Sequence, residues 1–315
     1  MKSLKAEPIS YLTNQLPTQI LQIFKQKRTL HLKNLNLKKI KCLMKTGVKR
    51  IFLLDYGWLA GEKGWFIPDP ATIMERGAAK VTEWVDIPVT GALIEHKDGN
   101  ILFDTGVHPE AAEKWPKPIF DVFPVTNFNK DENTVEKQLG KIGLKTSDVH
   151  FIVLSHLHLD HAGQAYVFKD HNTPLIIHKK ELQAALYRIW MNKGGGYLEL
   201  DLMALKGANW HVIEGEFLEL LPGVEIHFSG GHTPGHVILK VSTDAGNTYI
   251  FAGDFFHLFE EYELENKGWL LENREEYISN TKKIKLWARR PNAKVIISHD
   301  TKFWEKNPKP PKYLE

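Results

Sequence analysis

Residues 156–161 read His-Leu-His-Leu-Asp-His, and three imidazoles with one carboxylate at that spacing make a metal site. The apolar run at 151–154, Phe-Ile-Val-Leu, ends just before them. A strand that stops at Ser155 frees the backbone into a loop where two side chains, two positions apart, converge on one ion. The next two are left to face a second ion. Imidazole and carboxylate suit zinc, and also iron, manganese and cobalt, so the donors favour a borderline first-row metal.

Further donors follow downstream. His232 lies in GGHTPGH at 230–236, Asp254 in FAGD at 251–254 and His299 in VIISHD at 295–300. Each follows a β-branched or aromatic apolar run, which is how strand ends deliver ligands to one rim of a sheet. One such histidine alone would be an ordinary loop residue. Together with the 156–161 segment they supply donors for two ions. Upstream, Asp104 closes a strand in LFDTG at 102–106.

This set resembles the metallo-β-lactamase superfamily over about residues 90–301, and SHLHLDHAG at 155–163 most resembles its N-acyl homoserine lactone lactonases, the quorum-quenching branch. The resemblance implies that His156, His158 and His232 hold one divalent ion, and that Asp160, His161 and His299 hold another. Asp254 bridges them and Asp104 supports the metal loops from behind. Zinc is the first expectation for both ions. Asp160, Asp254 and His257 are then expected in catalysis, and the implied reaction is opening of the lactone ring by hydroxide held between the ions. A glyoxalase II-like thioesterase or other small-ester hydrolase is the alternative, with an RNase Z-like nuclease behind it. One position departs from the pattern. Many of these lactonases carry a tyrosine three residues after the bridging aspartate, and here that residue is His257.

The elements that must position these residues alternate strand and helix. Strands are expected at 90–95 and 101–103, joined by an Asp-Gly turn, and at 151–154, 174–177, 210–213, 224–228, 236–241, 248–252 and 294–297. Helices are expected over 133–144, 179–192 and 274–289. Antiparallel hairpins mixed with strand-helix units predict an α/β architecture of two mixed sheets flanked by helices, an αβ/βα sandwich. Aromatic residues crowd 55–90 and 255–269, and Trp65, Phe255, Phe256 and Phe259, with His257, are expected to line a groove for an acyl chain.

Composition bounds the rest. A net charge of +3 on 315 residues is too small to imply nucleic acid, and the single cysteine, Cys42, allows no internal disulfide. No apolar stretch reaches the roughly 18 residues that span a bilayer. The expected setting is therefore cytoplasmic, with a small acyl lactone as the partner, neither nucleic acid nor stable membrane insertion, and homodimerisation left open. Residues 25–50 carry ten Lys and Arg, and no acidic residue falls between Glu7 and Asp55. Leu16, Ile20, Leu21 and Phe24 recur at helical spacing. Residues 1–50 are thus expected to form a basic helical extension packed on a catalytic domain of 51–315.

Overall fold

The computed structural model describes residues 45–68 and 83–315. The expected amphipathic helix at 16–24 and most of the basic stretch lie outside the described residues. The first sheet contains β1 (Val48–Glu62), β2 (Trp84–His96), β3 (Asn100–Phe103), β4 (Val125–Asn127), β5 (Val149–Val153), β6 (Leu175–His178) and β7 (Trp210–Ile213). Its spatial order is β4-β1-β2-β3-β5-β6-β7. The second contains β8 (Phe217–Leu221), β9 (Val224–Phe228), β10 (Val237–Ser242), β11 (Thr248–Phe251) and β12 (Ala293–Ile296), in the order β12-β11-β10-β9-β8.

Period-two alternation explains how the sheets stack. Ile101 and Phe103 of β3 turn inward with Ile51, Leu53, Ile94 and Val153, against Val224, Leu239, Val241 and Phe251 of the second sheet. Leu102, between them, faces outward. There it joins Leu93, Ile152, Leu139 and Ala185 beneath helices α3 (Val135–Gly140) and α4 (Lys179–Trp190), which follow the short α1 (Ala111–Lys114) and α2 (Lys117–Val122). Across the molecule Ile238 and Ile250 face outward and pack on Tyr277 and Ile284 of α7 (Arg274–Ala288). Between α4 and α7 lie α5 (Glu199–Ala204) and α6 (Phe259–Leu264), and α8 (Thr301–Lys306) follows β12. The layers run helix, sheet, sheet, helix, the expected αβ/βα sandwich. None of the described helices is long and apolar enough to cross a membrane.

Most of 45–68 and 83–96 is strand, longer than the sequence pattern suggested. β1 pairs antiparallel with β2 from Val48 opposite His96 to Glu62 opposite Trp84. Both faces of β1 are covered along most of its length, so its sequence lacks the alternation that marks a half-buried strand. β8, much of it exposed, was not expected from the sequence either.

Strand direction sets the rim that matters. β3 and β5 run parallel, and β9, β11 and β12 share one direction because β10 lies antiparallel between β9 and β11 while β12 is parallel to β11. Asp104, residues 156–161, His232, Asp254 and His299 each follow the C-terminal end of one of these strands. Open α/β sheets place their ligand sites at such ends.

Candidate metal centre

Asp104 leaves β3 at φ +58°, a left-handed conformation that turns its carboxylate back under the next loop. One oxygen accepts the Ser155 amide proton at 2.7 Å, and the other accepts from the Ser155 hydroxyl and His161 Nδ1, both at 2.8 Å. The serine proton is thereby committed to Asp104, so its Oγ accepts from His156 Nδ1 at 2.9 Å. His299 Nδ1 donates to the Pro88 carbonyl at 2.7 Å and His232 Nδ1 to the Leu270 carbonyl at 3.1 Å. Four rings are thus pinned through Nδ1 with Nε2 turned inward, as metal-ligating histidines are. His158 is reversed, its Nδ1 lying 3.1 Å from His232 Nε2.

Two groups of inward atoms take up the expected donors. His156, His158 and His232 make one, and Asp160, His161, Asp254 and His299 the other, with donor atoms inside 4.8 Å of one another in each. Asp254 lies between them. Its Oδ1 is 2.9 Å from His161 Nε2 and 3.0 Å from His299 Nε2, while Oδ2 is 3.4 Å from His232 Nε2 and 3.7 Å from His156 Nε2. Asp160 reaches His299 Nε2 at 3.5 Å.

Burial sets the charge states. It drives the His156 and His232 imidazoles well below their usual range and His158 down to about 3, so these three rings are neutral. Burial also opposes charge on His161, but Asp254, Asp160 and Asp104 outweigh it and lift its pKa well above normal. Burial likewise disfavours the Asp254 carboxylate, yet His161, His299 and His257 hold it well below the ordinary carboxylate range. Neutral rings pinned through Nδ1 carry bare lone pairs on Nε2. His156 and His232 point those lone pairs at each other across 3.2 Å. Facing lone pairs repel, and a cation between them removes the repulsion, so the donors fit metal ions.

Supporting residues appear that the sequence did not advertise. Glu181, near the start of α4, is fully buried and accepts from Leu157 N at 3.1 Å, Thr233 Oγ1 at 2.6 Å and Gly235 N at 3.0 Å. It ties the 156–161 loop to the 230–236 loop. His236 Nε2 accepts the Asp254 amide proton at 3.2 Å while its Nδ1 meets Ser229 Oγ at 2.6 Å, so this ring holds the backbone that carries Asp254. A glutamate in a first helical turn is common, and only the fold shows what this one reaches. Gly235 is a glycine for a steric reason: a Cβ there would lie 2.1 Å from Glu181 N. Gly235→Ala is expected to cost about 1–3 kcal/mol, typical of overpacking against atoms that cannot yield. Calorimetry showing an unchanged melting temperature would contradict that close approach.

A cavity of about 330 Å³ opens above the donors, with His158, Asp160, His232, Asp254, His257 and His299 in its floor and walls. Trp65 lines it as expected, joined by Phe66, Ile119 and Phe123 and by Trp269 and Leu270. The other three expected wall residues do not. Phe255 and Phe256 are fully buried beneath the second sheet, with Phe255 stacked on Tyr277 at 5.1 Å. A 3-10 turn at Gly253–Phe255 sends their side chains into the core rather than toward the rim. Phe259, half exposed on α6, packs against Tyr262 at 5.5 Å and is absent from the cavity wall.

The family model of the metallo-beta-lactamase superfamily matches residues 85–299. An N-acyl homoserine lactonase of Bacillus cereus is 30% identical over 246 residues, 76% of this chain and 93% of the relative. The lactonase AiiB of Agrobacterium fabrum is 26% identical over 80% of this chain and 93% of its own length. Among solved structures, a quorum-quenching N-acyl homoserine lactone hydrolase superposes with a TM-score of 0.70 at 25% identity, covering 86% of this chain and all of the other. A domain match spanning all four donor segments, over a sandwich that gathers them at one rim, establishes that the chain belongs to the metallo-beta-lactamase superfamily.

Proposed function

We propose that this protein is a dinuclear metal hydrolase that opens the ring of N-acyl homoserine lactones. The observation that carries the reading is the apolar cavity set directly over two donor groups with the Asp254 carboxylate between them. Its support from relatives is the lactonase named above, similar over three quarters of the chain. His156, His158 and His232 hold one ion, Asp160, His161 and His299 the other, and Asp254 serves both. Zinc suits these nitrogen and oxygen donors. Two such ions supply Lewis acidity toward a carbonyl and bring the pKa of water near about 7.

The chain's own groups do the rest. Asp104, Ser155 and the Pro88 and Leu270 carbonyls keep the imidazoles in the tautomer that presents Nε2. Asp160, in the cavity wall, is placed to take the proton released as water adds to the lactone carbonyl. When the ring carbon–oxygen bond breaks, Asp160 returns that proton to the leaving alkoxide, and the product is the hydroxy acid. Trp65, Phe66, Ile119 and Phe123 take the acyl tail and keep water from it.

Each methylene buried against such a wall is worth about 0.8 kcal/mol. KM is therefore expected to fall roughly threefold to fourfold per carbon until the tail outgrows the cavity, and Trp65→Ala to flatten the series. The test is a ring-opening assay across acyl lactones of several lengths, beside a thioester and a cephalosporin. Hydrolysis of the thioester with no turnover of any lactone would overturn the substrate assignment. KM independent of tail length would return the aromatic wall to a packing role.

A further inference from the structure

His257 occupies the cavity floor three residues past Asp254, and its ring is held as the four inward-facing rings are. Nδ1 points away from the cluster to a fixed acceptor, Glu261 Oε1, at 3.1 Å. Nε2 points inward, 3.1 Å from Asp254 Oδ2, and is buried with no partner in hydrogen-bond geometry. The donor atoms of His232, Asp254 and His257 lie within 4.8 Å of one another. Glu261 and Lys267 behind the ring have fully buried side chains, which is costly for two charges unless every polar atom is used.

Counting those atoms decides which nitrogen carries the proton. With the proton on Nδ1, Glu261 Oε1 accepts it and Oε2 accepts the His257 backbone N–H and, at 3.5 Å, Lys267. Lys267 then has the Asp254 and Phe255 carbonyls, at 2.8 and 3.2 Å, for its other protons. Both Glu261 oxygens and the Lys267 ammonium are then served. With the proton on Nε2, Nδ1 would accept from Lys267 at 2.9 Å, but Glu261 Oε1 would face a ring lone pair with no donor of its own. The first arrangement leaves neither Glu261 oxygen orphaned, and it makes Nε2 a bare lone pair. A carboxylate behind the outer nitrogen is the usual companion of a metal-bound histidine.

We infer that His257 is a metal ligand, adding its Nε2 to the ion held by His156, His158 and His232, with Glu261 and Lys267 as the residues that position it. The inference rests on the two-ion reading. Where the resembling lactonases carry a tyrosine, this chain presents one more imidazole to the ion, and that ion has a more crowded set of donors.

Chelator competition on the zinc-loaded protein reads this directly, alongside the visible absorption of the cobalt-substituted protein. His257→Phe is expected to weaken one of two ions by about tenfold or more and leave the other unchanged; Glu261→Gln should move the same ion in the same direction, since outer partners of ligands are worth about 10–100-fold in affinity. The cobalt bands should intensify in His257→Phe as a donor is lost and the geometry nears tetrahedral. Should His257→Phe not fold, Glu261→Gln carries the same affinity test. Two tight ions in the wild type with unchanged affinity and cobalt spectrum in His257→Phe, even at reduced turnover, would make His257 a substrate-facing donor and overturn this inference alone. Wild-type protein that takes up fewer than two ions would overturn the two-ion reading, and this inference with it.

Discussion

Asp254→Asn should empty both metal positions and lower kcat/KM by about a thousandfold or more. The carboxylate has one oxygen among His161 and His299 and the other beside His232 and His156. Both ions therefore lose a donor in one substitution. Asparagine keeps the size but removes the negative charge, and its NH2 group presents protons to one of the two groups of bare nitrogens. Lewis acidity of bound ions is worth several kcal/mol in the transition state, and about 4 kcal/mol is a thousandfold in rate. His232→Ala touches one group only, so it should lose about one ion and retain the second. Elemental analysis of both variants, purified without chelator, separates the cases. If Asp254→Asn keeps two ions and turns over within tenfold of wild type, Asp254 is not shared between them.

Asp201 sets the second large effect, on stability rather than turnover. It lies on α5, buried, with neither carboxylate oxygen hydrogen-bonded, and burial alone raises its pKa from 3.8 to about 7. A raised carboxyl pKa means that the folded chain binds this proton more tightly than the unfolded chain. Below about pH 4 both states hold the proton and the site costs nothing. Between about 4 and 7 the unfolded chain releases it first, and stability falls by about 1.4 kcal/mol per pH unit. Above about pH 7 the loss levels off near about 4 kcal/mol. Asparagine cannot ionise. The stability of Asp201→Asn relative to wild type should therefore grow by about 2–3 kcal/mol between pH 5 and 8. Urea unfolding at several pH values measures that difference, and a gap that stays constant across the range would show that Asp201 does not titrate there.

How much of this was legible in the sequence varies by kind of residue. The donors were readable because a metal site needs a few residue types at short, fixed spacings, and because apolar runs before Ser155, Asp254 and His299 announced strand ends. Helix α7 was readable within a residue, and α4 within two, because their patterns are long. β1 was not, because a strand covered on both faces shows no alternation. The cavity wall was misread at Phe255, Phe256 and Phe259 for a related reason. Adjacency to Asp254 along the chain says nothing of direction, and one 3-10 turn sends the rings into the core.

Some of the chemistry had no local signature at all. Glu181 reaches Thr233 and Gly235 across 52 and 54 residues, and Lys267 meets the carbonyls of Asp254 and Phe255 only because the chain returns there. The sequence by itself pointed to the histidines and aspartates that cluster at one rim and to the mixed-sheet sandwich, since both are written in local spacing and periodicity. Tertiary structure alone decided which nitrogen each imidazole presents, which aromatics line the cavity, and that His257 faces Asp254 with Glu261 behind it. Those outcomes depend on hydrogen-bond partners and buried neighbours far apart in the chain, and a linear pattern holds no record of either.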